Sequence, residues 1–349
     1  METIGIGLMG LGYWATDAYA PVLAEMDGVE VVAVSARSDE TFAKARELFG
    51  NGIAEHRDLD ALAQDPAVDA VMVALPNRMH AEGALAAIEA GKPLFAEPPL
   101  GFDADEIREV FLAAEDAEAF VQTDLELRYV PAVQQVAEMA ASGELGDSLM
   151  ATIRLWCDWG YGGGEWLEEA EDQGFFLWLG CWYLDVLDAV FGAGPERVSV
   201  MGGRAMNGRM IDHAWATLEY PGERLGQFEF SLVAPEEQEV MLTIAGTEAQ
   251  MKADLWTGQM WVKERGRDQY AMAAPNSKPI HGFAGMRESI ADFVDCVRTG
   301  REPLANLEVS RRVHAAALAC ADSAESGKVE AVQPPRLGGG PAMRPRRSP

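Results

Sequence analysis

The 349-residue chain is predicted to fold as an α/β doubly wound parallel sheet followed by an α+β half with a mainly antiparallel sheet. Three observations predict it. A buried-strand run breaks into a glycine turn close to the N-terminus. Strand-like and helix-like segments then alternate through the first third, as a parallel sheet with crossover helices requires. From residue 196 onward, strand-like runs follow one another without helical pattern between them.

The first strand is Thr3-Ile4-Gly5-Ile6-Gly7-Leu8, and it runs into Gly10-Leu11-Gly12-Tyr13-Trp14-Ala15, which fits G-x-G-x-x-G/A. The first glycine makes the tight turn, and the second lets backbone approach a pyrophosphate. The small third residue lets the following helix pack on the strand, its N-terminal N–H groups facing the phosphates. A helix-compatible stretch (13–26) and a second strand, Val29-Glu30-Val31-Val32-Ala33-Val34, complete the unit, so Gly10, Gly12, Tyr13 and Trp14 are expected to hold a dinucleotide. The alternative is a glycine turn without a ligand. At the end of the second strand an acidic residue would bind the ribose 2′-hydroxyl of NAD, whereas an arginine accommodates a 2′-phosphate. The chain reads Ser35-Ala36-Arg37-Ser38, with no carboxylate before Asp39. Ser35, Arg37 and Ser38 therefore favour NADP(H) over NAD(H). Otherwise Arg37 is a solvated residue, and Asp39 and Glu40 are the N-terminal charges of the next helix.

Further helices are expected at 39–49 and 58–64, and a central strand at Asp69-Ala70-Val71-Met72-Val73-Ala74-Leu75, ended by Pro76-Asn77. A helix at 78–90, a strand at Pro93-Leu94-Phe95-Ala96, a helix at 103–117 and a short strand near 119–122 close the first domain, residues 1–122. A helix at 131–142 and a strand at 148–157 open the second, residues 123–332. Its aromatic segment, 156–183, includes Trp159, Tyr161, Trp166, Trp178 and Trp182. Strands are expected at 196–202, 213–220, 225–233, 238–245 and 249–255, then helices at 283–299 and 308–326. Residues 333–349, rich in Pro, Gly and Arg, are expected to be a disordered tail.

Composition narrows the function. No stretch approaches about 18 uninterrupted apolar residues, so no membrane span is expected. The N-terminus enters a strand without a basic leader, which suggests a cytoplasmic protein. Cys157, Cys181, Cys296 and Cys320 are scattered and the five histidines show no close spacing, so neither a disulfide framework nor a metal site is expected. The net charge of −28, with only six lysines, disfavours nucleic acid and anionic membranes as partners. Such acidity fits either a high-salt cytoplasm or an ordinary acidic protein. In the first case the melting temperature should climb steadily from low to molar KCl as self-repulsion is screened; a flat melting curve series would favour the second.

The order of these motifs resembles the Gfo/Idh/MocA oxidoreductase family over about residues 3–328. The landmarks are Gly10-Leu11-Gly12-Tyr13-Trp14, then Leu75-Pro76-Asn77-Arg78-Met79-His80, then Ala90-Gly91-Lys92-Pro93 leading into Ala96-Glu97-Pro98-Pro99-Leu100. Arg128-Tyr129-Val130-Pro131 with Ser142-Gly143-Glu144-Leu145-Gly146 follows, and later Ala245-Gly246-Thr247-Glu248-Ala249 and Phe293-Val294-Asp295-Cys296-Val297-Arg298-Thr299-Gly300. The resemblance implies a Rossmann N-terminal domain, a C-terminal domain with an open-faced sheet, and a homodimer or homotetramer acting on a small-molecule substrate. It adds Leu75, Pro76, Asn77, His80, Glu97 and Pro98 to the cofactor-binding set. His80 is expected to brace the turn rather than to do chemistry.

Departures from the family pattern bear on chemistry. Pro98 stands where the family has a lysine that hydrogen-bonds the substrate hydroxyl. The family's helix carries an Asp and a His four residues apart; by register these become Trp178 and Trp182, and only Asp185 agrees. Alcohol oxidation releases a hydride and a proton together, so another group must take the proton. Tyr183, Asp185, Tyr161 and His281 are the candidates. Tyr183 points some 100° around the helix from the lost position, and Asp185 is also read as a structural partner for an arginine or backbone group. Trp178, Trp182 and Tyr161 are expected to form an apolar wall against substrate, under a loop at Gly162-Gly163-Gly164, or else to be core or subunit interface. One of the Glu97-Pro98 and Pro98-Pro99 bonds is a candidate for cis. The leading expectation is an NAD(P)-dependent oxidoreductase of a small carbonyl or hydroxyl compound with an altered proton-transfer group. The alternatives are a non-catalytic nucleotide- or sugar-binding regulator, and a lyase or glycosidase using transient oxidation.

Overall fold

The structure, a computed structural model, describes residues 3–158, 170, 172–206, 210–235, 238–274 and 285–333. Six strands form the first sheet: β1 (Ile4–Met9), β2 (Val29–Ser35), β3 (Ala54–His56), β4 (Ala70–Val73), β5 (Leu94–Ala96) and β6 (Val121–Thr123). Their order is β3-β2-β1-β4-β5-β6, and every pair is parallel. β1 and β4 are buried at every position, as the uninterrupted apolar runs require of central strands. The strand order reverses between them, which opens a crevice at their C-terminal ends, the place where such sheets bind ligands.

Helices α1 (Ala20–Glu25), α2 (Asp39–Phe49), α3 (Leu59–Ala63), α4 (His80–Glu89) and α5 (Ala104–Asp116) make the crossovers. The stretch read as one helix over 13–26 begins with a π-turn at Ala15–Tyr19 before α1. β3 was not expected: its three half-exposed residues carry no periodic signal.

The second sheet holds nine strands in the order β14-β13-β12-β11-β7-β10-β9-β8-β15. They are β7 (Ser148–Trp156), β8 (Arg197–Gly203), β9 (His213–Tyr220), β10 (Arg224–Ser231), β11 (Glu239–Gly246), β12 (Ala249–Asp254), β13 (Met260–Glu264), β14 (Ala271–Ala274) and β15 (Glu330–Ala331). All pairs are antiparallel except β7 with β10. The sheet is thus mainly antiparallel, with β13 to β15 added to the strands expected. Burial alternates along β9 to β11. Leu218, Phe228, Phe230, Leu242 and Ile244 face inward, toward α6 (Pro131–Ser142), α7 (Cys181–Phe191) and, later in the chain, α9 (Leu307–Ser326). On the other face Met201, Trp215, Glu229, Arg154 and Met241 stand opposite one another on successive strands. That face is open: Met201 is 76% and Trp215 56% exposed.

Helix α8 (Met286–Thr299) returns to the first sheet. Its Met286, Ile290, Phe293 and Val294 share a core with Ile6, Leu8, Tyr19 and Phe95, and the Phe95 and Phe293 rings meet edge-on at 5.3 Å. The expected boundary after residue 122 falls inside β6, and a helix from the second half completes the first core. Among the described residues no helix is long and apolar enough to cross a membrane. The tail from 334 and the loop at 162–164 lie outside the described residues.

Candidate functional site

Gly10 ends β1 at φ +90, where a Cβ would lie 2.5 Å from the Ala74 carbonyl oxygen. Only glycine makes this turn without strain. Its N–H donates to the Ser35 carbonyl at 3.2 Å, tying the ends of β1 and β2 together. Around Gly12 a Cβ would meet no atom within 4 Å, so backbone there borders open space. Tyr13 is exposed beside it and Trp14 half-buried. Ser35 Oγ is buried and makes no hydrogen bond among the described residues. An open glycine turn beside an unsatisfied buried hydroxyl fits a dinucleotide laid across the strand ends.

At the β2 end, Arg37 donates to Met79 Sδ at 3.0 Å from an exposed position. Ser38 is the N-cap of α2, its Oγ accepting from the Thr41 N–H at 3.1 Å, which commits much of its capacity to the helix. Asp39 and Glu40 lie in the first turn of that helix. Arg57 was not foreseen. Its guanidinium donates to the Arg37 carbonyl at 2.5 Å and pairs with Asp39. It follows β3, the strand that gave no sequence signal.

Leu75-Pro76-Asn77 leads from β4 into α4. Asn77 donates its amide to Gln173 Oε1 at 2.7 Å, and Gln173 in turn donates to the Phe102 carbonyl at 3.2 Å. Asn77 is thereby spent, in part, on joining the two halves rather than on cofactor alone. His80 is buried with Nδ1 2.8 Å from the Pro99 carbonyl and Nε2 2.8 Å from the Leu75 carbonyl. It braces two strand-end loops, as expected. The Pro98-Pro99 bond is cis.

Three carboxyl groups that resemble a solvated turn in the sequence are buried together. Glu97, just after β5, accepts a short hydrogen bond from Tyr19 Oη. Tyr19 Oη also lies 3.1 Å from Asp124 Oδ2, and Ser289 Oγ of α8 donates to Asp124 Oδ1 at 3.0 Å. Glu97 therefore turns inward to Tyr19. Glu126 opens a 3₁₀ turn, Glu126–Tyr129, and its Oε2 is buried without a hydrogen-bond partner among the described residues. Burial, reinforced by the Asp124 charge, raises Glu97 and Glu126 well above the usual carboxylate range. Burial pushes Asp124 up to about 6. Raised carboxyls favour the folded state in their protonated forms, so the contribution is complete below the ordinary carboxylate range and lost as pH rises through the raised values. Glu97→Gln should accordingly gain stability relative to the wild type between about pH 5 and 8, read as melting temperature at each pH. Parallel melting curves for the two proteins across that window would contradict a proton-holding Glu97.

The helix expected to carry the aromatic wall begins with a second π-turn, Phe176–Gly180, running into α7. Trp178 is buried and meets Phe175 edge-on at 6.5 Å, so it belongs to the core. Trp182 is half-buried, with its indole N–H toward Glu126 but short of regular hydrogen-bond geometry. Tyr183 is also core, its ring stacked on Phe228 at 5.2 Å. Asp185 is fully buried and accepts from Arg128 Nε at 2.9 Å and from its Nη2 at 2.5 Å. Arg128 thus pairs with the Asp185 carboxylate, the partner that the structural reading of Asp185 expects, and the Tyr183 ring packs in the core. Tyr161 and His281 lie outside the described residues.

Two family models match in sequence order. Residues 4–125 match "Oxidoreductase family, NAD-binding Rossmann fold", and residues 133–252 match "GFO/IDH/MocA C-terminal domain". Trans-1,2-dihydrobenzene-1,2-diol dehydrogenase of Macaca fascicularis is 27% identical over 316 residues, covering 84% of this chain and 88% of that protein. The Oryctolagus cuniculus enzyme of the same name is 29% identical over 289 residues, covering 78% and 82%. Among solved structures, levoglucosan dehydrogenase in complex with NADH and levoglucosan superposes with a TM-score of 0.86 at 19% identity, over 95% of this chain and all of that one. Aldose-aldose oxidoreductase from Caulobacter crescentus gives 0.82 at 20% identity, over 95% of this chain and 100% of that one. With both domain models matched along the chain and the fold they imply observed, the protein belongs to the Gfo/Idh/MocA oxidoreductase family.

Proposed function

We propose that the protein is a cytoplasmic, NADP(H)-preferring oxidoreductase of a small hydroxyl or carbonyl compound, sugar- or polyol-like, with a proton-transfer group that differs from the family's. The observation that carries this reading is the open cradle at the β1 and β2 ends, formed by Gly10, Gly12 and the unsatisfied Ser35 hydroxyl. A nicotinamide dinucleotide held there supplies hydride exchange. The chain's own part is to lay the pyrophosphate along Gly12 and to seat the adenosine ribose near Ser35. His80 holds the Leu75 and Pro99 loops together at the neighbouring strand ends. The names of the relatives, a dihydrodiol dehydrogenase and a levoglucosan dehydrogenase, support a vicinal diol or cyclic polyol as substrate class.

Cofactor preference rests on Arg37, with Asp39 already neutralised by Arg57. Arg37→Ala should weaken NADPH binding by roughly 1.5–3 kcal/mol, the worth of one charge-assisted contact to a 2′-phosphate, and leave NADH unchanged. Fluorescence titration of both nucleotides reads it. Equal affinities in the wild type, untouched by the substitution, would sink the preference. The exposed sheet face bearing Met201, Trp215 and Trp156 supports a homo-oligomer joined through that face.

Hydride exchange against a panel of polyols, sugars, dihydrodiols and aldehydes tests the activity itself. A second reading, a non-catalytic nucleotide- or sugar-binding regulator, draws on Pro98, Trp178 and Trp182 at the three positions of the family's reactive groups. It expects NADPH binding with no turnover on any panel compound.

A further inference from the structure

The family's proton-handling lysine and histidine are replaced here by Pro98 and Trp182. Among the described residues, Glu126 is an ionisable side chain near both places. Glu126 follows β6, beside the Glu97-Tyr19-Asp124 network that leads to the β5 end and Pro98. On its other side stands the Trp182 indole. Its neighbour Arg128, in the same 3₁₀ turn, is locked by a two-nitrogen contact to Asp185, so the backbone that presents Glu126 is held from below. The Glu126 side chain is more than nine-tenths buried, yet Oε2 has no hydrogen-bond partner among the described residues. A buried carboxylate oxygen left unsatisfied costs stability and is retained where something else, such as a substrate hydroxyl, satisfies it.

We propose that Glu126 is the acid–base residue of this enzyme, taking the hydroxyl proton of the substrate during oxidation and returning it during reduction. The inference rests on the oxidoreductase reading above. With an oxidised nicotinamide held at the Gly10 and Gly12 cradle as hydride acceptor, the carbinol C–H bond would break and its electron pair would leave as hydride. The O–H bond breaks, its proton passes to Glu126 Oε2, and the C=O bond forms. Reduction reverses each step. Trp182 bounds the proton acceptor on one side with an indole N–H, and the apolar ring of Pro98 leaves the lysine's place without a competing base.

Its neighbours act on the Glu126 carboxyl in both directions. Burial and the Asp124 and Asp185 charges raise the Glu126 carboxyl, while its own backbone N–H and the Trp182 indole act the other way. Tyr183 and Glu97 also act on it electrostatically, and burial raises both, which favours their neutral forms. Arg128, the nearby cation, is neutralised by Asp185.

The test uses the full chain as wild type, Glu126→Gln and Glu126→Asp. NADPH and NADH titrations come first, followed by steady-state kinetics with levoglucosan, myo-inositol, D-glucose and trans-1,2-dihydrobenzene-1,2-diol. The expected result is unchanged nucleotide affinity in all three proteins. In Glu126→Gln kcat falls by about 10²-fold or more, and KM moves less than about threefold. In Glu126→Asp part of kcat returns, with a displaced pH profile. A Glu126→Gln kcat within about threefold of the wild type overturns the assignment. So does loss of nucleotide binding in Glu126→Gln, which would mark a structural role.

A second readout does not depend on turnover. The infrared difference spectrum of wild type minus Glu126→Gln, both with NADPH bound, should contain one carboxyl that gains and loses its proton across the pH range in which the enzyme turns over. A carboxyl that stays ionised, or stays protonated, across that range cannot serve both directions and overturns the proposal. A wild type that binds neither nucleotide would instead bring down the oxidoreductase reading itself, and this proposal with it.

Discussion

Asp185→Ala is expected to lower the free energy of unfolding by about 3–5 kcal/mol, a large share of the 5–15 kcal/mol typical of a folded domain. Asp185 has no exposed surface, and both of its oxygens are within hydrogen-bond reach of Arg128 Nε, at 2.9 and 3.2 Å. Removing the carboxylate leaves a buried guanidinium without its hydrogen-bonded partner, and the more distant Asp188 carboxyl, itself raised by burial, replaces little of it. The penalty is the uncompensated cation, not the value of the pair. Arg128→Met with Asp185→Leu therefore distinguishes the two ideas: two apolar groups of similar volume should cost far less than either single deletion, and can be neutral. Urea midpoints of the singles and the double measure this. A single Asp185→Ala loss below about 1 kcal/mol would mean that the pair is open to water and contributes as a surface ion pair does.

Where the chain repeats a pattern, the sequence was informative. β9 was read at its observed limits, His213–Tyr220, because alternate residues face core and water over its whole length. The glycine turn was legible because its residue types answer a backbone need at Gly10 and an open approach at Gly12. Burial created by distant segments was not legible. Thr123-Asp124-Leu125-Glu126 resembles a polar turn, and it becomes interior only when Ser289 arrives from α8, 165 residues after Asp124. One signal was available: two acids flanking a leucine at the C-terminal end of a buried parallel strand stand where such sheets place their ligands. The two π-turns were hidden for a related reason. A π-turn leaves helical composition intact, so Phe176–Gly180 reads in the sequence as ordinary helix.

Two glycines two positions apart should respond in opposite ways to the same added methyl group. Gly10→Ala puts a Cβ 2.5 Å from the Ala74 carbonyl oxygen at a φ of +90. The strained backbone alone costs about 1–3 kcal/mol, and the collision with β4 backbone adds to it, since no flexible side chain is there to move aside. Gly12→Ala meets nothing within 4 Å and has no left-handed φ. Its fold should be unchanged, or firmer by up to about 1 kcal/mol through a less flexible unfolded chain. The added carbon then stands in the space through which backbone approaches the pyrophosphate. NADPH affinity should fall more than tenfold, about 1.4 kcal/mol or more, in a protein that melts like the wild type. Melting curves and NADPH titrations on both variants separate the two effects. A Gly12→Ala protein that binds NADPH as tightly as the wild type would show that the phosphates do not lie on this turn, and the cradle would lose its assignment even if the fold stands.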